Sequence, residues 1–313
     1  MNMSAETASR IKALAAALVW GASFVAIKAA VREVHPVTLI VLRFGFGVVI
    51  LALAVWRAHV FKWVGWRDFA PLALLGVLAI AIHQGLQATG LLFTTASSMA
   101  WLVALQPIFT ALLAWLFLSE SFGVTKIVGL VIACIGAIAV VTKGVPSPDT
   151  LRLPSTLGDL LALASALNWA IFSVASKPML RRLPPTLMLA YVMFIGWALM
   201  LPFFAAMQGW NEIGNLTLDG WIAIAFLGIA CSGIAYIFWY DALAQIDASQ
   251  VAAFIYIEPL VTVVVAGILL GEAFTPVSFL GGLTILLGVY LVNRPSAQRA
   301  ARRGEAFPQG TSD

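Results

Sequence analysis

The chain has 313 residues, of which 62% are hydrophobic and only 10% charged, and its mean hydropathy is +0.99. A soluble domain carries about 25% charged residues, so this composition excludes a protein whose main solvent is water; the uncharged run from Phe69 to Ser119 alone continues through several helix lengths. The net charge of +4 comes from basic residues clustered between apolar stretches, not from a stripe that would track a nucleic acid, so no nucleic-acid partner is expected.

Windows of about 20 apolar residues, the length that crosses a hydrocarbon core, predict ten spans near 11–31, 36–57, 69–92, 95–118, 124–142, 156–177, 185–207, 219–240, 248–270 and 275–293. Arg10 and Lys12 before the first apolar stretch resemble the start of a signal peptide, but that stretch runs on to Ala30 and nine similar ones follow, so it is a transmembrane helix. Pro36 and Pro276 stand at helix starts, and Pro184-Pro185 separates span six from span seven. The longest interior loop, with Pro146, Pro148 and Pro154, follows span five. The expected fold is an all-α integral membrane protein of ten transmembrane helices. Its parts are a cytoplasmic N-terminus over 1–10, five helices over 11–142, an external linker over 143–155, five helices over 156–293 and a disordered basic cytoplasmic tail over 294–313.

Basic loops are retained in the cytoplasm. With the N-terminus inside, the inner loops and ends hold Arg10, Lys12, Arg57, Lys62, Arg67, Lys126, Lys177, Arg181, Arg182 and the arginines of the tail, against Lys28, Arg32, Lys143 and Arg152 outside. Both termini are therefore expected in the cytoplasm of a bacterial-type inner membrane. Cys134 and Cys231 each lie inside an apolar span without metal-ligand spacing, so they pack as small hydrophobes, and neither a disulfide nor a metal is implied.

An internal repeat sets the architecture. A shift of 152 residues aligns Gln106-Pro107 with Glu258-Pro259, Glu120 with Glu272, Gly129 with Gly281, Gly136 with Gly288, Ala96-Ser97 with Ala248-Ser249 and Gly76 with Gly228. Nearer the start a shift of 149 aligns Trp20 with Trp169, Val25-Ala26 with Val174-Ala175 and Lys28 with Lys177. An odd number of spans per half makes the second enter from the opposite side, giving an inverted repeat of the kind that opens one site alternately to two faces.

Pro107 and Pro259 lie near mid-membrane, where a proline removes the bond to the carbonyl of Val103 or Ile255 and kinks the helix; symmetric kinks suit a gate or hinge. Glu258 is the one acidic residue deep in a span, either a proton-coupling group or half of a structural pair. His83 and Gln87 share one face of span three, turned to a cavity or satisfied in packing. Trp20, Trp169 and Trp101, the last beside Ser97 and Ser98, offer aromatic walls for an amphiphilic ligand, or else anchor interfaces and fill core. Tyr256 in span nine joins the substrate-binding candidates. Lys28 and Arg43 either meet a carboxylate or snorkel to the surface. In span eight Tyr236, Trp239 and Tyr240 replace the polar stripe of span three and could form an interfacial aromatic belt, the reading preferred for Tyr240. The small-residue faces Gly129, Ala133, Gly136 and Gly281, Gly288 suit close packing within the chain or a homodimer contact.

The segments ALVWGASFVAIKAA at 17–30, QPIFTALLAWLFLSE at 106–120 and EPLVTVVVAGILLGE at 258–272 resemble the drug/metabolite transporter superfamily, in particular its EamA-type members with two tandem five-helix domains. Within it the chain is most similar to YddG-type aromatic amino-acid exporters. The resemblance runs from Leu14 to Val292 and implies ten helices, cytoplasmic termini, a central cavity between the halves and efflux of amino acids or similar small metabolites, with no cofactor. One departure is Ser119 before Glu120, where the family more often has Gly-Glu, as at Gly271-Glu272.

Three classes compete. An intramembrane enzyme would need chemistry that no HExxH, GxSxG, paired carboxylate or phosphate loop supplies. A channel would be expected to carry a filter segment, and none stands out. The repeat favours a transporter by alternating access, with a small molecule and the bilayer as partners.

Overall fold

The computed structural model describes residues 5–118, 123–141, 155–245, 254–273 and 275–293. Among the described residues the regular structure is entirely helical and forms ten spans, seven of them long and apolar enough to cross a membrane and three, spans 5, 9 and 10, apolar but shorter. Span 1 is Ala5–Ala30, beginning ahead of the apolar window, and span 2 is Pro36–Arg57. Span 3 runs Trp66–Phe93. Span 4 comprises Ala96–Val103 and Gln106–Leu118, span 5 is Val124–Val141, span 6 Ser155–Leu180 and span 7 Pro185–Ala206. Span 8 extends from Leu218 to Gln245, span 9 from Phe254 to Leu270 and span 10 is Pro276–Asn293. The predicted linker over 143–155 apart from Ser155, which is helical, the Ser119-Glu120 turn, Ala248-Ser249 and the tail over 294–313 lie outside the described residues.

Local chemistry sets several of these boundaries. Pro36 and Pro185 open spans 2 and 7, where a missing N–H costs nothing, and the His35 side chain accepts the Val37 N–H at 3.2 Å. Span 9 ends at Gly271, whose φ of +64° is a left-handed cap that only glycine adopts without strain.

Four spans depart from α geometry. The sequence predicts a kink at Pro107 in a continuous helix. Instead span 4 stops at Val103, passes through Ala104 and Leu105, and restarts at Gln106, so that Pro107 sits in a first turn whose N–H groups have no intrahelical partner anyway. Span 9 does the same: a 3₁₀ turn, Phe254–Ile257, gives way to a helix over Glu258–Leu270 with Pro259 in its first turn. Spans 3 and 8 widen into π-helix over Val77–Ile82 and Phe226–Ile234. The widened turns close with His83 N–H on the Leu78 carbonyl and Ala235 N–H on the Ala230 carbonyl, the same two positions at the 152-residue offset.

Spans 5 and 10 form the most extensive helix pair. A Cβ on Gly129 would lie 2.6 Å from the Gly288 carbonyl oxygen, and one on Gly136 would lie 2.5 Å from that of Gly281. The pairing is reciprocal and antiparallel, and it uses the glycine faces inside the chain. The bundle is polar within and apolar without: Arg43, His83, Gln84, Gln87, Asp159, Asn168 and Ser232 are buried, whereas Phe117, Ile268 and Val49 point outward, as a hydrocarbon solvent requires.

The two ends differ in charge. At one, Lys12 pairs with Asp241 at 2.7 Å and Arg182 with Asp68 at 2.6 Å, among the basic loops, and Trp56, Trp63 and Trp66 stand exposed in a girdle. The other gathers Glu33 on Thr217, Glu212 on the His35 N–H, Asp159 on Thr94, and Glu272.

Replacing Gly288 with leucine should lower the thermal midpoint of the detergent-solubilised protein, because overpacking of a closed interface costs about 1–3 kcal/mol. Gly85→Ala should raise it, since nothing lies within 4 Å of the added methyl and alanine gains about 0.5–1 kcal/mol over glycine inside a helix. Equal midpoints for the two variants would contradict the packing described.

Candidate functional site

A cavity of about 90 Å³ opens where the four irregular spans meet. Val103 and Gln106 flank the break of span 4, Ile255 and Glu258 the restart of span 9, and His83, Gln84 and Tyr236 follow directly on the π-helical turns. Trp20, Ser23, Phe24, Arg43, Gln87 and Trp169 complete the lining. The widened turns are also the joints between helices: Asn168 of span 6 donates to the Leu78 carbonyl at 2.8 Å, and the Trp20 indole of span 1 donates to the Cys231 carbonyl at 3.0 Å.

Arg43 is 5% exposed. Its Nε donates to Ser232 Oγ at 2.8 Å, its Nη1 donates to Gln84 Oε1 at 3.0 Å, and its guanidinium carbon lies 5.0 Å from the centre of the Phe44 ring. Those two oxygens are neutral, so the positive charge is oriented but not neutralised. His83 Nδ1 lies 3.2 Å from the Ser165 carbonyl; a carbonyl only accepts, so Nδ1 carries the proton and Nε2 is left as the acceptor. The His83 ring also packs on Trp169 at 4.9 Å. On the opposite wall Trp20 meets Tyr236 edge-on at 5.2 Å and Trp239 at 5.2 Å. Tyr236 and Trp239 of span 8 are thus turned inward onto Trp20, while the side chain of Tyr240, for which a belt position is expected, lies outside the described residues.

Glu258 enters the cavity from the first turn of its half-helix, where the unpaired N–H groups and the helix dipole favour a carboxylate. Gln106 stands at the equivalent start in span 4.

Of the residues singled out in the sequence, Trp20, His83, Gln87, Trp169, Arg43 and Glu258 therefore come together at one site, with Pro107 and Pro259 just behind it. Trp101, Tyr256 and Lys28 do not line this cavity. Trp101 is buried against Phe279 and borders a second cavity of about 220 Å³ at the acidic end, shared with Ser97, Ser98 and Glu272. Tyr256 packs against the core. The Lys28 ammonium donates to the Leu91 carbonyl at 3.1 Å and to that of Thr94, satisfying orphan carbonyls at the end of span 3. Glu272 caps span 4 from the neighbouring turn, accepting from Ala96 N at 2.8 Å and Ser97 Oγ at 2.8 Å.

Sequence reasoning did not pick out Gln84 and Ser232, which orient Arg43, nor Ser23. The signal for the first two was present in principle, because an arginine deep in a span must find polar partners on facing helices.

A family model described as the EamA-like transporter family matches residues 9–142 and again 156–294. The chain belongs to the EamA-like transporter family. As an EamA-like protein it is a membrane transporter, not an enzyme, and its two matched segments are two copies of one domain. An uncharacterized transporter of Archaeoglobus fulgidus is 29% identical over 90% of this chain and 96% of its own length. The uncharacterized transporter YvbV of Bacillus subtilis is 28% identical over 92% of each chain. A protein of Streptantibioticus cattleyicolor described as a "probable terminal-alkyne amino-acid exporter" is 29% identical over 78% of each. One crystal structure superposes with a TM-score of 0.65 at 19% identity, over 95% of this chain and 98% of that one, which speaks to the fold alone.

Gln84→Leu removes the acceptor of a buried guanidinium N–H. A lost partner to a charged group costs about 1–3 kcal/mol or more, so the variant should unfold at a clearly lower temperature than Gln84→Glu, which keeps an acceptor. Indistinguishable midpoints would mean that Gln84 does not hold Arg43.

Proposed function

We propose that this transporter exports amino acids, aromatic ones preferred, or related small metabolites across a bacterial inner membrane by alternating access between two five-span halves. One half is inverted relative to the other. The observation that carries this reading is the composition of the central cavity. Spans of both halves contribute, Trp20 and Trp169 come from equivalent repeat positions, and the aromatic walls face the oriented positive charge of Arg43. A ring needs apolar burial and a carboxylate needs a cation, and the residues lining this cavity supply both, in a space of about 90 Å³ that must widen to take an amino acid.

Inversion is supported by the reciprocal Gly129–Gly288 and Gly136–Gly281 contacts. Residues at equivalent repeat positions exchange places across an antiparallel pair, as a two-fold axis in the membrane plane demands. The excess of basic residues at one end supports a reading in which that end, and both termini, face the cytoplasm. Pro107 and Pro259 act as hinges, each beside a break where backbone angles can change without tearing a continuous helix. The amino-acid exporter among the relatives agrees with this substrate class, and the YddG-type resemblance points to aromatic members of it.

The test is counterflow in proteoliposomes loaded with unlabelled phenylalanine. Saturable accumulation of labelled phenylalanine or tryptophan, competed by aromatic amino acids at least about tenfold better than by alanine, is the expected outcome; a tenfold preference corresponds to about 1.4 kcal/mol. Absence of counterflow with all twenty amino acids would overturn the substrate class, and an ohmic current would overturn the carrier mechanism.

A further inference from the structure

A guanidinium and a carboxyl group line one cavity in the membrane interior without meeting. Arg43 reaches only the neutral oxygens of Ser232 and Gln84. The Glu258 carboxylate has no hydrogen bond and no ion pair among the described residues, and it borders the same cavity. Charges in a low-dielectric interior ordinarily pair, because each is costly alone. Here the fold holds them apart. Arg43 is pinned on the span 2 side by spans 3 and 8, and Glu258 stands at the start of the half-helix of span 9. The aromatic pair of Trp20 and Tyr236 lines the cavity with them.

We propose that Arg43 and Glu258 are the two poles of a zwitterion site, Arg43 binding the α-carboxylate and Glu258 the α-ammonium of the substrate. This rests on the amino-acid reading above and deepens it, because it assigns the discrimination between zwitterions and singly charged analogues to Glu258. A ligand carrying both charges completes both partnerships at once. One lacking its ammonium leaves Glu258 unpaired, and one lacking its carboxylate leaves Arg43 so. The repeat partner of Glu258 is Gln106, which also lines the cavity but carries no charge, so the site has a single negative pole and binds its ligand in one orientation.

The experiment measures inhibition of phenylalanine counterflow by phenylalanine, by 3-phenylpropionate, which lacks the ammonium, and by phenylalanine amide, which lacks the carboxylate. In the wild type each analogue should inhibit about 10- to 100-fold more weakly than phenylalanine, the range expected when a charged hydrogen-bonding partner is lost. In Glu258→Gln the gap between phenylalanine and 3-phenylpropionate should shrink to about threefold or less, while phenylalanine amide remains a poor inhibitor. Wild-type protein inhibited equally by all three compounds would overturn the proposal irrespective of how the variant folds. So would a Glu258→Gln variant that keeps the wild-type gap but loses stimulation by a pH gradient, which would make Glu258 a proton carrier only. Failure of the wild type to recognise any amino acid would instead remove the substrate class on which both readings stand.

Discussion

Hydrocarbon offers a peptide group no hydrogen-bond partner, and this constraint decides where the chain can be irregular. Backbone that leaves α geometry inside a membrane must be covered by protein or by an enclosed cavity. The break in span 4, the 3₁₀ turn of span 9 and the π-helical turns of spans 3 and 8 all border the same space. In the two π-helical turns, the Leu78 and Cys231 carbonyls accept from side chains of spans 6 and 1. The cavity and the irregularities thus require each other, and the polar residues of the site sit where the backbone has already departed from the helix.

The backbone features repeat between the two matched segments while the side-chain chemistry does not. Glycines, prolines and π-helical turns recur at one offset in both halves. The groups that line the cavity break this symmetry: Gln84 stands opposite Tyr236 in the repeat, Gln87 opposite Trp239, His83 opposite Ala235 and Glu258 opposite Gln106. A ligand with distinct ends needs a lining that differs from one wall to the other.

The spans were legible because apolar length and proline punctuation are local properties: Pro36 and Arg57 bound span 2 in both readings, and Pro185 and Pro276 open their helices as the sequence suggests. The glycine repeats were visible too, since close approach leaves a residue-type signature. The π-helical turns were not, because their residues, Val77–Ile82 and Phe226–Ile234, have the composition of any membrane helix. Pro107 indicated a disturbance but not its form, as a proline is compatible with either a kink or a fresh start. Trp101 shares a turn with Ser97 and Ser98, which suggested a ligand wall; the helix carries that turn to the acidic end, against Phe279. The partners of Arg43 come from positions 84 and 232, and only the fold brings them together.

The central claim is that one cavity, reached in turn from either face, carries the substrate. It is tested most directly by a cysteine placed at Ser23, in a Cys134→Ser, Cys231→Ala background, and challenged with a membrane-impermeant thiol reagent from each side of sealed vesicles. The account predicts labelling from both faces, slowed by phenylalanine on either. Labelling from one face only, at a rate that phenylalanine leaves unchanged, would contradict it.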